Sequence, residues 1–199
     1  MWQRKKMLRD ENYRNDYVHF VNGMIAKGHA RNVPKDRLEA NQGRVWYLPR
    51  HGICHPRKPH KIRVVFDCSA RYEGTSLNSQ LMLGPDPTNS LVGVLTRLRQ
   101  DRIAFMTNIE FMFHQVYVPD EPCDFLRFLW WPEGDLGAEI QEYQMTVRLF
   151  GAASASSCFN FALKQTARDT ELTSGSLVAE TICRNFYVDD CLRSAIELT

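Results

Sequence analysis

Two adjacent carboxylates, Asp189 and Asp190, lie in the run Phe186-Tyr187-Val188-Asp189-Asp190-Cys191-Leu192 with apolar residues on both sides. Such a run reads as strand, turn, strand, with the acids at a bend held by a buried ribbon. Paired oxygen donors at a rigid tip suit a hard divalent cation, Mg2+ or Mn2+. Phosphoryl transfer over two ions roughly 4 Å apart needs ligands from more than one element, because one carboxylate cannot screen both charges or fix the in-line geometry. The candidate partner is Ala104-Phe105-Met106-Thr107-Asn108-Ile109-Glu110, an apolar run ending in polar groups, of which the first after the apolar core is Asn108, an amide and not an acid. A carboxamide offers one neutral carbonyl oxygen and an NH2 group that repels a cation.

The elements that must position these groups follow from periodicity. Apolar residues recur at spacings of three and four over Asp10 to Lys27 and predict an amphipathic helix that Gly28 closes. Arg44 to Pro49 reads as a short aromatic strand, His51 to His60 as a loop, and Lys61 to Cys68 as a strand in which Arg63 alternates with apolar neighbours. Gly74 to Pro87 is rich in turn residues, with Leu77, Leu81 and Leu83 as anchors, and Asn89 to Arg99 reads as a helix capped by Asn89 or Ser90. Strands are expected over Ile103 to Ile109, Phe125 to Trp131 and Glu142 to Leu149, the last two forming a hairpin. Ser154 to Thr170 turns helical, with Phe159, Phe161, Ala162, Leu163 and Ala167 as its buried side, and Leu177 to Cys183 leads helically into the acidic hairpin. The layout is α+β: an antiparallel sheet with helices packed on one face.

Composition narrows the function classes. The 199 residues are 44% hydrophobic and carry a formal net charge of +2, which permits a real core and argues against a general polyanion binder. Basic residues are nonetheless local: Trp2 to Arg9 holds four, and His51 to Arg63 holds Arg57, Lys58, Lys61 and Arg63 with three histidines and no acid, a plausible phosphate-contacting stripe. Six cysteines without a CxxC pair indicate neither a disulfide framework nor a zinc ribbon, and the cluster His51, Cys54, His55, His60 has no second ligand pair. No apolar run is long enough to span a membrane and no signal-like core follows the basic N-terminus, so an intracellular place, cytoplasmic or nuclear, is expected.

In order, the chain presents a basic strand with Arg63, a strand ending at Asn108, a small-residue segment at Gly151 before a helix, and the Tyr187-Val188-Asp189-Asp190 hairpin. This resembles the palm and fingers of a reverse transcriptase. The blocks Tyr47-Leu48-Pro49-Arg50-His51, His55-Pro56-Arg57-Lys58-Pro59, Arg63-Val64-Val65-Phe66-Asp67-Cys68-Ser69-Ala70, Phe113-His114-Gln115-Val116 and Arg127-Phe128-Leu129-Trp130-Trp131-Pro132 look like those of BEL/Pao long-terminal-repeat retrotransposons. The resemblance implies a right-hand polymerase with an N-terminal helical lead-in (1–45), a fingers-like part (46–102) and a palm-like part (103–199). It implies an RNA template, a DNA primer, deoxynucleoside triphosphates and two Mg2+ (or Mn2+) ions as partners.

Residue by residue, the resemblance makes Asp189 the main metal ligand and Asp190 its companion, and it puts Tyr187 beneath the primer end. It makes Phe113 the steric gate against a ribose 2′-hydroxyl and gives Arg63 and Lys61 the incoming triphosphate. Gly151 falls in the loop that packs on nucleotide and template, where Phe150 replaces a polar residue. Two departures matter. Asn108 stands where the family has its first catalytic aspartate, a loss on the order of a thousandfold in rate; Glu110, two residues on, would share its strand face and could substitute if the strand continued. The chain also stops before the thumb and RNase H regions, which predicts a fragment of a transposon Pol polyprotein. The reading is an impaired RNA-directed DNA polymerase, a nucleotidyltransferase; the alternatives are a catalytically inactive nucleic-acid-binding remnant, a host-retained module, or a relic without a selected role.

Overall fold

The computed structural model describes residues 2–39, 44–55 and 58–197, with the side chains of 55 and 58–61 left out. The helices are α1 (Trp2–Arg9), α2 (Glu11–Ala26), α3 (Leu77–Gln80), α4 (Leu91–Leu98), α5 (Ala155–Asp169), α6 (Glu171–Ser174) and α7 (Ser176–Asn185). The strands are β1 (Ala30–Asn32), β2 (Arg50–His55), β3 (Lys58–Phe66), β4 (Ile103–Asn108), β5 (Arg127–Trp130), β6 (Gln141–Met145), β7 (Phe186–Tyr187) and β8 (Asp190–Ala195). They form two compact units interleaved along the chain, Met1–Leu81 with Tyr117–Ala152 and Met82–Val116 with Ala153–Thr199.

Helix and antiparallel sheet are mixed as expected, but among the described residues the strands make three small sheets rather than one, ordered β1-β6-β5, β2-β3 and β4-β8-β7. Among the described residues no helix is long and apolar enough to cross a membrane.

The first unit is built on α2. The Asp10 carboxylate accepts from Tyr13 N at 2.9 Å, and the spacing of three and four buries Tyr13, Tyr17, Val21 and Met24. Gly28, at φ 73°, ends the helix in the left-handed region that glycine adopts at little cost. Tyr13 Oη accepts from Gly52 N at 3.1 Å, and a Cβ at position 52 would lie 2.7 Å from that oxygen and 2.3 Å from Ile62 Cδ1. Any larger residue here would have to push the Ile62 and Tyr13 side-chain ends aside.

Gly52 belongs to the stretch expected as a loop. Residues 50–55 instead pair with β3, Arg50 opposite Phe66 and Ile53 opposite Arg63. The physical reason is Arg50: its guanidinium lies 4.6 Å from the Phe128 ring and 4.7 Å from Trp130, and donates to Tyr17 Oη at 3.1 Å and Leu129 O at 2.6 Å. Burial pulls its pKa down, offset by the Tyr17 hydroxyl. The 44–49 segment is no strand; it contributes one bridge, Tyr47 to Arg127. Helix α1 has no counterpart in the periodicity, because its polar sequence carries no apolar stripe; it is held by buried Met7 and by Lys6 Nζ, 3.9 Å from the Tyr13 ring centroid. Leu83, expected as an anchor, is exposed, whereas Leu77 is buried behind a Ser76–Ser79 capping box.

The β5–β6 hairpin, expected from sequence, carries a buried ion network. Arg127 is fully buried; its guanidinium reaches Asp124 Oδ1 at 2.7 and 3.0 Å, Glu142 Oε2 at 3.0 Å and the Arg37 carbonyl at 2.7 Å, while Arg37 itself pairs with Asp124. A guanidinium so placed is tolerable only while its partners remain.

In the second unit, β8 lies between β4 and β7. Helix α4 begins at Leu91, and neither Asn89 nor Ser90 caps it with a side chain. On α5 the buried residues are Ala155, Phe159, Asn160 and Ala167, whereas Phe161 is 63% exposed: it lies two residues from Phe159, which turns it to the opposite side of the helix.

Two outcomes check this description. Asp124→Ala should cost about 3 kcal/mol or more in urea unfolding, because it leaves Arg127 buried without its main partner; a loss within experimental error would contradict the network. In alkylation of the native protein, exposed Cys54 should react first, while Cys68, whose pKa burial and then Asp67 push up to about 11, should react only on unfolding.

Candidate active site

The acidic hairpin forms where α7 ends. Phe186 and Tyr187 make β7, Val188 and Asp189 form a two-residue turn, and β8 begins at Asp190, with Tyr187 opposite Asp190 and Phe186 opposite Cys191. Val188 has φ 57°, the positive value that the first position of a tight hairpin turn requires and that glycine normally supplies. A β-branched residue there is strained by about 1–2 kcal/mol. Pairing of β8 on both of its edges holds the conformation in place.

On the other side of β8, Asn108 is the register partner of Asp190 and Thr107 that of Cys191. Ile109 N donates to Asp189 O at 3.0 Å, extending the ladder one step past the strand end. Directly opposed residues share a sheet face, so Tyr187, Asp190 and Asn108 form one row across three strands, and Asp189 lies one residue further out at the turn. The neighbouring row, Phe186, Cys191 and Thr107, faces the other way; it buries Phe186 and Cys191, and burial raises the Cys191 thiol pKa despite Arg193 nearby. Asn108 is exposed, and Tyr187, Asp189 and Asp190 are half-buried.

The donor set at this tip is therefore two carboxylates and a carboxamide. Among the described residues no group of three or more His, Cys, Asp or Glu side chains is placed to hold a metal ion. Glu110 does not continue the strand: β4 ends at Asn108, Glu110 lies in a turn, and its carbonyl accepts from Gln115 Nε2 at 3.0 Å. The alternation that would have put Glu110 on the face of Asn108 is broken there, and Phe111 follows at φ 51°.

Phe113 lies in a 3-10 turn, Met112–Gln115, and its ring meets Phe159 of α5 edge to face at 6.3 Å. The remaining candidates belong to the first unit. Arg63 is exposed on β3; Lys61 lies on the same strand, outside the described side chains. Gly151 has φ 100°, and its carbonyl accepts from Asn78 Nδ2 at 2.9 Å, while Phe150 is exposed. Of the cluster His51, Cys54, His55 and His60, the side chains of His55 and His60 are outside the described ones.

Asn89 has a positioning role that sequence reasoning missed. Its Nδ2 donates to Cys183 O at 3.0 Å and Phe186 O at 2.8 Å, and its Oδ1 accepts from Lys164 Nζ at 3.2 Å, so it clamps the end of α7 to the start of the hairpin. Asn185 adds a bond from Nδ2 to Leu192 O at 3.0 Å. A helix-flanking Asn reads most simply as a cap, and nothing local in the sequence signals partners nearly a hundred residues away.

No protein-family model matches the chain, and no curated protein matches its sequence. Solved structures do share its fold. The foamy viral protease-reverse transcriptase dRH in complex with double-stranded DNA aligns with TM-score 0.65 and 15% identity, over 94% of this chain and 27% of that one. The foamy viral protease-reverse transcriptase in complex with double-stranded DNA aligns with TM-score 0.62 and 17% identity over 94% and 32%. The native Prototype Foamy Virus protease-reverse transcriptase gives TM-score 0.62 and 12% identity over 94% and 20%. This chain spans less than a third of the length of these proteins, and at such identity the likeness is one of fold: the chain has a reverse-transcriptase-like fold.

If Asn89 positions the hairpin, Asn89→Ala should lower stability by about 2 kcal/mol, since it orphans two carbonyl groups and the Lys164 ammonium loses one acceptor. Amide exchange should speed up at Tyr187 and Cys191 before it does on α5. Uniform protection across both would contradict the clamp.

Proposed function

We propose that this chain is the polymerase region of a reverse transcriptase of the BEL/Pao retrotransposon type, an RNA-directed DNA polymerase whose chemistry is weakened by Asn108. The observation that carries the reading is the placement of Asn108 opposite Asp190, with Asp189 O bonded to Ile109 N, at the tip of a sheet in a reverse-transcriptase-like fold. Its partners are then an RNA template, a DNA primer and deoxynucleoside triphosphates; two of the three foamy viral structures above are complexes with double-stranded DNA.

Two carboxylates and a carboxamide fit one hard divalent cation better than two, because the donor set lacks a third anion. Asp189 and Asp190 would hold Mg2+, which when bound offsets charge on the phosphoryl oxygens. The chain's own groups do the rest of the positioning. Tyr187, in the same row as Asp190, offers its ring beneath a primer end. Phe113, held edge to face by Phe159, acts as a rigid wall against a 2′-hydroxyl. Arg63 and Lys61 supply cations for the triphosphate, and Gly151 leaves its α-carbon bare where a base can pack.

A second reading is favoured by the same Asn108 together with the exposed Arg63: a nucleic-acid-binding module without catalysis, holding phosphates through β2 and β3. The two separate in one primer-extension series with Mg2+ and Mn2+. Native chain should extend a primer poorly, Asn108→Asp should raise the rate on the order of a thousandfold, and Asp190→Asn should abolish that gain. Phe113→Ala in the Asn108→Asp background should admit ribonucleotides on the order of tenfold better. Efficient extension by the native chain would sink the role given to Asn108. No extension by either form, with hybrid affinity that falls steeply with salt and less steeply in Arg63→Ala, would favour the binding module.

A further inference from the structure

The far end of the same three-stranded sheet carries a second polar site, wholly within the second unit. A cavity of about 210 Å³ opens between the C-terminal end of α4, helix α7 and the end of β8, and Leu177 is the one apolar side chain among the described residues that line it. Three guanidiniums face it, those of Arg97, Arg184 and Arg193, with two carboxylates, Asp101 and Glu180.

The charges are not evenly matched. Glu180 is occupied by Arg184 at 2.6 Å, and Asp101 Oδ2 accepts from Ser194 Oγ at 3.1 Å. Arg97 donates to the Arg184 carbonyl and Arg193 to Thr181 Oγ1, both neutral acceptors, and among the described residues neither guanidinium pairs with a carboxylate. Arg97 Nε is buried and has no hydrogen-bond partner among the described residues. A buried guanidinium N–H left unmade is costly, and a cationic pair lining a polar cavity supplies what an oxyanion needs: charge, forked donors and a neutral hydroxyl rim.

We propose that this cavity binds a phosphate dianion through Arg97 and Arg193, at a site separate from the acidic hairpin. Arg193 pairs with Phe105 and Asp190 with Asn108, so the two sites sit at different steps of the β4–β8 ladder. The volume holds a single phosphoryl group, not a duplex, so the ligand is free phosphate or the terminal phosphate of a nucleotide.

The test is calorimetric titration of the full chain with inorganic phosphate at constant ionic strength. One saturable site is expected, weakened on the order of tenfold in Arg193→Gln, tightened severalfold in Asp101→Asn, which keeps the Ser194 bond but removes a charge, and unchanged in Arg168→Gln, an exposed cation of α5 outside the cavity. Competition by dAMP at or below the phosphate concentration would assign the phosphate to a nucleotide; failure to compete would assign it to the free ion. Should Arg193→Gln fail to fold, the Asp101→Asn arm still decides. Absence of saturable binding, or binding lost in Arg168→Gln and unaffected by Asp101→Asn, would overturn the site.

Discussion

Pairing of β8 on both edges is the constraint on which the acidic tip depends. Residues 187, 190 and 108 come from segments some eighty positions apart, and only the antiparallel register sets them side by side. A slip of one residue of β4 along β8 would set Thr107 or Ile109 opposite Asp190 and take Asn108 out of the row. Burial of Phe186 and Cys191 orients β7 and β8, while β4, exposed along residues 104–108, takes its register from the backbone ladder and the Ile109–Asp189 bond. The strain at Val188 is sustained in the same way, by ladders on either side of a two-residue turn.

Against that geometry a single atom matters. Replacing a carboxylate oxygen by an amide nitrogen at position 108 changes neither size nor strand propensity by much, so the sheet forms regardless. What changes is the charge at position 108, where a neutral carboxamide stands opposite the second of two adjacent aspartates. Fold and charge are thus separable here: Phe186 and Cys191 pack on one face of the sheet, while the carboxamide of Asn108 lies on the other.

What could be read from the sequence follows the same division. Helix α2 and the two hairpins are legible because periodicity and turn residues act locally. The acidic tip is legible because two charged groups between apolar strands must lie at a bend, where water or a cation can reach them. The strand at 50–55 is not, since His, Pro and Gly suggest a loop and the pairing is secured by Arg50 seated among aromatic rings from distant segments. Helix α1 lacks an apolar stripe and leans on Met7 and Lys6. Phe161 reads as a core residue because it is large and apolar, although its angular position opposes Phe159. Asn89 reads as a cap, yet its partners at Cys183 and Phe186 are long-range. Glu110 reads as a substitute ligand only while the strand is taken to run on, and it ends two residues early.

The central claim is that the hairpin tip is one anion short. Manganese titration followed by electron paramagnetic resonance, on the native chain and on Asn108→Asp, measures this without requiring turnover. The expected result is weak binding of one ion by the native protein and tighter binding, with a second ion, once the carboxylate is restored. Equal affinity and equal stoichiometry in the two proteins would contradict it.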